Sequence, residues 1–372
     1  MNSVFTNQSV QVVNLFISLF QNYNSMINTS YYINVFANCI PVKGAKSAII
    51  CDLQRGNYFE IDMVLHEILE NHSEKTIDQI IEFYGREYED EILNQINQLL
   101  KEDLIHITTE PHLFPKLDLT WEVPSVITNM IIEYGDYFEK REMEIVEDLN
   151  KLGVKHLELR FYSEVSYESL CRALQTIRKT KVSGIYLVLQ DFLGDDIDRF
   201  LIENQRIINI LLLNVKSSEH ERYKDNNKVS VKKNKKVHDH SGGIIRPSAF
   251  KVNLELFTES QKFNSYLNRK LTILENGDVK NCPSMPEVLG NIQQSRLVQI
   301  FDSKKDDLIK DWSISIDEIK ICKDCEFRYI CPDTRAFNKS DNVYSKSLNC
   351  HYNPYIGEWE DRVMSVKALT SE

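Results

Sequence analysis

Five of the chain's eight cysteines fall between Leu271 and Cys350, and no other feature limits the fold as tightly. The segment reads Leu-Thr-Ile-Leu-Glu-Asn-Gly-Asp-Val-Lys-Asn-Cys-Pro from Leu271 to Pro283, then Leu-Gly-Asn-Ile from Leu289 to Ile292. It continues as Cys-Lys-Asp-Cys-Glu-Phe-Arg-Tyr-Ile-Cys from Cys322 to Cys331 and closes at Cys350. Two cysteines separated by two residues sit on one tight turn and point both sulfurs at one metal, and cysteines from a neighbouring loop complete a thiolate tetrahedron. That is the outline of an iron–sulfur or zinc site. A disulfide knot or ordinary buried thiols are the competing reading. Eight cysteines in 372 residues are too few for a disulfide scaffold, and their crowding favours a metal in a reducing compartment.

The spacing says more than a lone Cys-x-x-Cys. Gly277, with four residues between it and Cys282, is followed by Leu-Gly-Asn-Ile, a Cys-x2-Cys-x5-Cys run and one distant cysteine. This resembles the SPASM domain appended to radical-SAM peptide-modifying enzymes, whose pattern carries seven cysteines and two auxiliary [4Fe-4S] clusters. The match is partial. No cysteine occurs from Phe257 through Asn276, and Thr334 and Arg335 stand where the family has a further one. The resemblance implies that Cys322, Cys325, Cys331 and Cys350 hold one [4Fe-4S] cluster, with zinc as the alternative. It implies also that the inner cluster is missing, because Cys282, a fifth candidate metal ligand, has lost its partners.

Hydrophobic content of 42% and charged content of 27% are those of an ordinary globular protein, and 372 residues suit two or three domains. A net charge of −11 argues against a nucleic-acid partner. No stretch approaches the ~18 apolar residues of a membrane span. The run from Val10 to Phe20 could be mistaken for a signal-peptide core, but no Lys or Arg precedes it and no small-residue cleavage site follows. A cytoplasmic protein is expected, with residues 1–30 an N-terminal extension and Met26 an alternative start.

From Tyr31 the pattern becomes regular. Tyr31 to Pro41 and Lys46 to Tyr58 predict two strands around the turn 42–45, the second running into a polar turn from Asp52 to Asn57. Apolar stripes at helical spacing predict three helices: Val64, Leu65, Ile68 and Leu69; Ile77, Ile80, Ile81 and Tyr84; Ile92, Leu93, Ile96, Leu99 and Leu100. A strand from Ile105 to Thr109 closes the unit. The order resembles the winged-helix, PqqD-like leader-peptide recognition element of ribosomal-peptide maturation systems, which implies a domain over residues 31–110 that takes a leader as an added strand. A plain winged helix with a structural or DNA role is the alternative. The third helix carries Glu91, Asn94, Gln95, Asn97 and Gln98 and no basic stripe, which counts against DNA.

Pro111, Pro115 and Pro124 mark a linker over residues 111–124. Beyond it, strands at Val126–Ile132, Lys155–Tyr162, Gly184–Gln190 and Ile207–Val215 alternate with helices at Glu139–Leu152, Ser166–Thr180 and Asp195–Asn204. Such alternation predicts a parallel sheet, with a partial (β/α) barrel over residues 125–270 and the SPASM domain over 271–372. In radical-SAM enzymes the first barrel strand, ending in a Thr-Asn like Thr128-Asn129, runs into Cys-x3-Cys-x2-Cys. Here no cysteine lies between Cys51 and Cys171. The expected fold is therefore α/β: a winged-helix domain, a degenerate partial barrel of radical-SAM type without S-adenosylmethionine chemistry, and a cysteine-rich SPASM domain. Cys39, Cys51 and Cys171, each among apolar neighbours, are expected to be packed thiols.

Between Ser217 and Gly243 lie Lys228, Lys232, Lys233, Lys235 and Lys236 with His238, Asp239 and His240. This insert reads as a solvated loop rather than an anion grip or metal site. Tyr352, Tyr355 and Trp359 are expected to pack on the cysteine-rich segment. From Tyr31 to Trp359 the chain resembles the SPASM-domain peptide maturases of grasp-with-spasm systems. That resemblance implies two partners, a precursor peptide and an ATP-grasp ligase. Two roles follow: an accessory protein that binds the precursor for the ligase, or a redox-active iron–sulfur enzyme acting on the peptide itself. No Ser-His-Asp or Cys-His spacing and no Gly-rich phosphate loop is recognisable, which favours the accessory role.

Overall fold

A computed structural model describes residues 27–162, 166–190, 197–214, 223, 226–232, 245–332, 337–340, 343–345 and 350–359. They fall into two compact units, one within Met1–Lys43 and Ala48–Leu117, the other within Gly44–Ser47 and Asp118–Glu372.

The first unit has strands β1 (Tyr32–Val35), β2 (Cys39–Lys43), β3 (Ala48–Asp52) and β4 (Asn57–Ile61). Helices α1 (Met63–Asn71), α2 (Ile77–Tyr84) and α3 (Glu89–Lys101) and strand β5 (Ile105–Thr108) follow. β2, β3 and β4 form an antiparallel meander, while β1 pairs antiparallel with β5. The two strands expected before the helices are thus four. The second break is made by buried Asp52, whose carboxylate accepts the N–H groups of Gln54 and Arg55 and pairs with the Arg55 guanidinium. Gly56, at φ 76°, supplies the left-handed residue such a turn needs. The helices follow their predicted stripes: Leu65, Ile68, Leu69, Ile77, Ile80, Ile81, Ile92, Ile96 and Leu99 are all buried in one core. Val64 alone of the first stripe is exposed. Asp62 caps α1 by accepting the Leu65 N–H at 2.7 Å, and Thr76 with Gln79 forms a capping box on α2.

The second unit alternates β6 (Asn129–Glu133), α4 (Asp136–Lys140), α5 (Glu142–Leu152), β7 (His156–Phe161), α6 (Tyr167–Arg178), β8 (Gly184–Gln190), α7 (Ile197–Glu203), β9 (Ile207–Leu213) and β10 (Val229–Lys232). It continues with α8 (Leu254–Ser260), β11 (Lys270–Ile273), β12 (Asp278–Lys280), β13 (Gly290–Asn291) and α9 (Leu297–Trp312). One eight-stranded sheet runs β10-β9-β8-β7-β6-β11-β12-β13, parallel from β10 to β11, with β12 and β13 added antiparallel.

Three expectations are corrected. Thr128-Asn129 does not end the first strand: β6 starts at Asn129 and ends at Glu133. The helix expected over Glu139–Leu152 is two helices meeting at Arg141, whose guanidinium donates to the Ile292 carbonyl. Part of the basic insert is a strand, because Val229 buries and β10 adds parallel to β9. Lys233, Lys235, Lys236, His238, Asp239, His240, Thr334 and Arg335 lie outside the described residues. No described helix is long and apolar enough to cross a membrane.

Alternation along the strands gives the sheet two unlike faces. Met130, Ile132, Leu157, Leu159, Phe161, Ile185, Leu187, Leu271 and Ile273 join the helices' Leu149, Leu170, Leu174 and Ile177 in one core. The opposite face carries Asn129, Glu133, His156, Glu158, Arg160, Tyr186 and Lys270, and the candidate chemistry of this unit lies there and in the cysteine-rich segment.

Candidate functional site

Cys322 opens a short turn, Cys322–Asp324, closed by a hydrogen bond from the Cys325 N–H to the Cys322 carbonyl at 3.1 Å. Ile321, just before it, sits at φ 71°, a conformation that a β-branched residue adopts at a cost of roughly 1–3 kcal/mol. Cys322, Cys325 and Cys331 are half-buried, whereas Cys350 is exposed and bridges Ile245 in parallel. Burial pushes the Cys325 thiol well up, and the negative charges of Glu326, Cys331 and Cys322 push the same way. Glu326 is itself buried. Its Oε1 accepts the Tyr352 hydroxyl, and its Oε2 has no hydrogen-bond partner.

Three soft donors and an orphaned carboxylate oxygen in one desolvated segment suit a cationic metal core by their chemistry. Their placement is less closed: among the described residues no three His, Cys, Asp or Glu side chains group as a metal site would need. Cys282 stands elsewhere. It is fully buried in the core, 3.2 Å from the Ser284 hydroxyl. Cys39 and Cys51 are buried and Cys171 half-buried in the packing, as expected of structural thiols. The tail also packs as expected. Tyr352 and Trp359 make ring contacts with Phe327 and Phe250, and the Tyr355 hydroxyl donates to Asp324 at 2.7 Å.

The polar sheet face was not singled out from sequence, although it leaves a signal. His156-Leu-Glu-Leu-Arg-Phe alternates strictly, whereas a parallel strand covered on both faces reads as a near-continuous apolar run. Glu133 and Tyr162 occupy the carboxyl end of this face. The Tyr162 hydroxyl donates to Glu133 Oε1, the Glu275 N–H donates to Oε2 at 3.1 Å, and Arg160 lies 4.0 Å away. Nearer the amino ends of the strands opens a cavity of about 460 Å³, lined by His156, Glu158, Arg160, Tyr186, Tyr266 and Lys270 among others. Glu158 pairs with Arg160 at 2.6 Å, and the Lys270 ammonium lies 3.6 Å from the centre of the Tyr266 ring. Burial pulls Lys270 down to about 8.

In the first unit a groove of about 520 Å³ runs between β4 and α3, lined by Tyr58, Glu60, Leu65, Gln95, Gln98 and Glu102 among others. Among the described residues β4 pairs with β3 alone, which leaves its other edge as a template for a further strand.

A cysteine-rich α/β protein with a mostly parallel sheet is the class these observations define. Within it, residues 265–326 match the SPASM family, described as an iron–sulfur cluster-binding domain. The chain thus carries a SPASM-type segment, which spans Cys282, Cys322 and Cys325. No curated protein matches the chain. Among solved structures, BtrN in an open conformation is 14% identical, covering 57% of this chain and 98% of its own at a TM-score of 0.32. Streptococcus suis SuiB bound to S-adenosylmethionine is 12% identical, covering 80% and 94% at a TM-score of 0.29. The same protein bound to its precursor peptide SuiA is 10% identical over the same shares at 0.28. Likenesses this low assign neither activity nor ligand.

Proposed function

We propose that the chain is an iron–sulfur accessory protein or maturase of a ribosomal-peptide modification system, of the graspetide type, working beside an ATP-grasp ligase. The SPASM match over 265–326 carries this reading. Cys322, Cys325, Cys331 and Cys350 would hold one [4Fe-4S] cluster, with zinc as the competing metal, and Cys282 would hold none. Bound there, a cluster supplies structural cross-linking and one-electron capacity. The chain's own residues contribute a desolvated thiol segment, backed by Glu326 and the Tyr352, Phe327 and Trp359 rings. The sheet is read as a radical-SAM-type barrel emptied of its cysteines, and the first unit as a PqqD-like recognition domain. The groove beside the open edge of β4 supports the latter, since an extended leader adds backbone hydrogen bonds to such an edge while side pockets select alternate residues.

Metal analysis after anaerobic purification tests the assignment. Roughly four iron and four sulfide per chain are expected, lost on Cys325→Ala and kept on Cys282→Ala. Stoichiometric zinc without sulfide would replace the cluster by a structural zinc site, and metal lost on Cys282→Ala but kept on Cys325→Ala would overturn the ligand set.

A further inference from the structure

Lys270, Asn129, His156 and Gly184 are the first residues of β11, β6, β7 and β8, and the ladder sets them side by side. Glu158 and Tyr186 face each other in the same ladder, two residues further along β7 and β8. Side chains at these positions project from one face, and with parallel strands ~4.8 Å apart, Lys270 and His156 stand about 10 Å apart across β6. Gly184 contributes by omission: a Cβ there would lie 2.4 Å from Ile208 Cδ1 and 2.7 Å from His156 Cδ2, so a larger residue would displace both side chains. The result is the cavity of about 460 Å³ described above, at the amino ends of the strands. Ligands of open α/β sheets ordinarily gather at the carboxyl ends, and this cavity opens toward the other end of the strands, with Arg160 between it and Glu133.

Its charges are unevenly matched. Arg160 is neutralised by Glu158 at 2.6 Å and by Glu133 at 4.0 Å. Lys270 forms no ion pair among the described residues: its ammonium lies 3.6 Å from the centre of the Tyr266 ring, which attracts a cation without neutralising it, and the Glu158 and Glu259 carboxylates act on it only from beyond ion-pair distance. A half-buried ammonium facing an open polar cavity is stabilised by an anion that enters. The volume accommodates a guest the size of one or two amino acids, and the amide of Asn129 and the hydroxyl of Tyr186 offer donors to it.

We propose that this cavity is a binding site for the carboxylate of a small guest, with Lys270 as its countercharge. The carboxylate has two sources, a free dicarboxylic acid or an acidic side chain within a peptide. The proposal does not rest on the leader reading, and the cysteine-rich segment contributes Pro332 to the cavity wall.

Calorimetric titration of the full chain with glutarate, glutaramide and the capped tripeptide acetyl-Gly-Glu-Gly-amide tests it. At least one carboxylate probe should bind saturably and at least tenfold more tightly than glutaramide, as a charge-assisted contact requires. Tighter glutarate assigns the free acid, and tighter tripeptide assigns the side chain. Lys270→Gln should remove that preference, while Lys270→Arg keeps most of it. Acid and amide binding alike, or no probe binding at all, overturns the proposal on the unmodified protein, whatever the folding of the variants. An unchanged preference in a folded Lys270→Gln variant overturns the role of Lys270.

Discussion

Glu259, on α8, shows how single residues here carry information that composition hides. Burial raises its carboxyl to about 7, against an opposing hydrogen bond from the Asn268 amide at 2.8 Å. A group whose folded pKa lies above its unfolded value binds more protons in the native state. Its stabilising contribution is therefore full below the unfolded value of 4.5 and is lost as the pH rises through about 7. A shift of this size corresponds to ~3 kcal/mol. Glu259→Gln should flatten the fall in stability between pH 5 and pH 8 and raise stability at pH 8 by about 2 kcal/mol. Urea unfolding of both proteins at the two values measures it, and parallel pH profiles would refute the assignment. At this scale the sequence was readable where chemistry is local, as in the Cys-x2-Cys turn. It was silent on Glu259, Lys270 and Glu326, whose burial no local pattern announces; Lys270 pairs with Asn129 of β6 and Glu326 accepts the Ser47 hydroxyl, both from segments far away in the chain.

Among the elements, the three helices of the first unit were legible because each shows its stripe within a dozen residues; in the structure Asp62 caps the first and the Thr76–Gln79 pair the second. The strands before them were harder. The turn built on buried Asp52 and left-handed Gly56 shows in its polar run, but the break over residues 36–38 that parts β1 from β2 does not. Pairing was out of reach: nothing local tells that β1 leaves the meander to join β5, or that Lys270 opens a strand beside β6. The β4 edge and the α3 side of its groove make a prediction on the leader reading. A cognate leader titrated against the full chain should lose at least tenfold in affinity when proline replaces a residue of its docked segment, because proline has no N–H to give the ladder. Alanine at the same position should cost less. Equal losses would show that side-chain pockets, not strand addition, hold the leader.

Among the described residues two large hydrophobic cores stand out, one in each unit. One gathers Ile33, Ile50, Ile68, Ile81, Ile96 and Leu104, and the other gathers Ile132, Leu159, Leu187, Ile210, Leu271 and Phe301. The linker prolines foreshadow a division, and the units part at Leu117, but the sequence does not show that the cysteine-rich segment shares its sheet with the α/β part through β11, β12 and β13. Separate cores unfold as separate cooperative units unless a large apolar interface couples them. Ile96 and Leu159 are both fully buried, one in each core. Replacing either by alanine removes about 2–4 kcal/mol from its own unit. Scanning calorimetry of the full chain should therefore show two transitions, Ile96→Ala lowering one and Leu159→Ala the other. If the first unit holds the leader, Ile96→Ala should also weaken leader binding near its own transition, while Leu159→Ala leaves the affinity within twofold. A single transition moved equally by both substitutions would mean that the two cores unfold as one, and leader recognition could then not be assigned to the first unit on stability grounds.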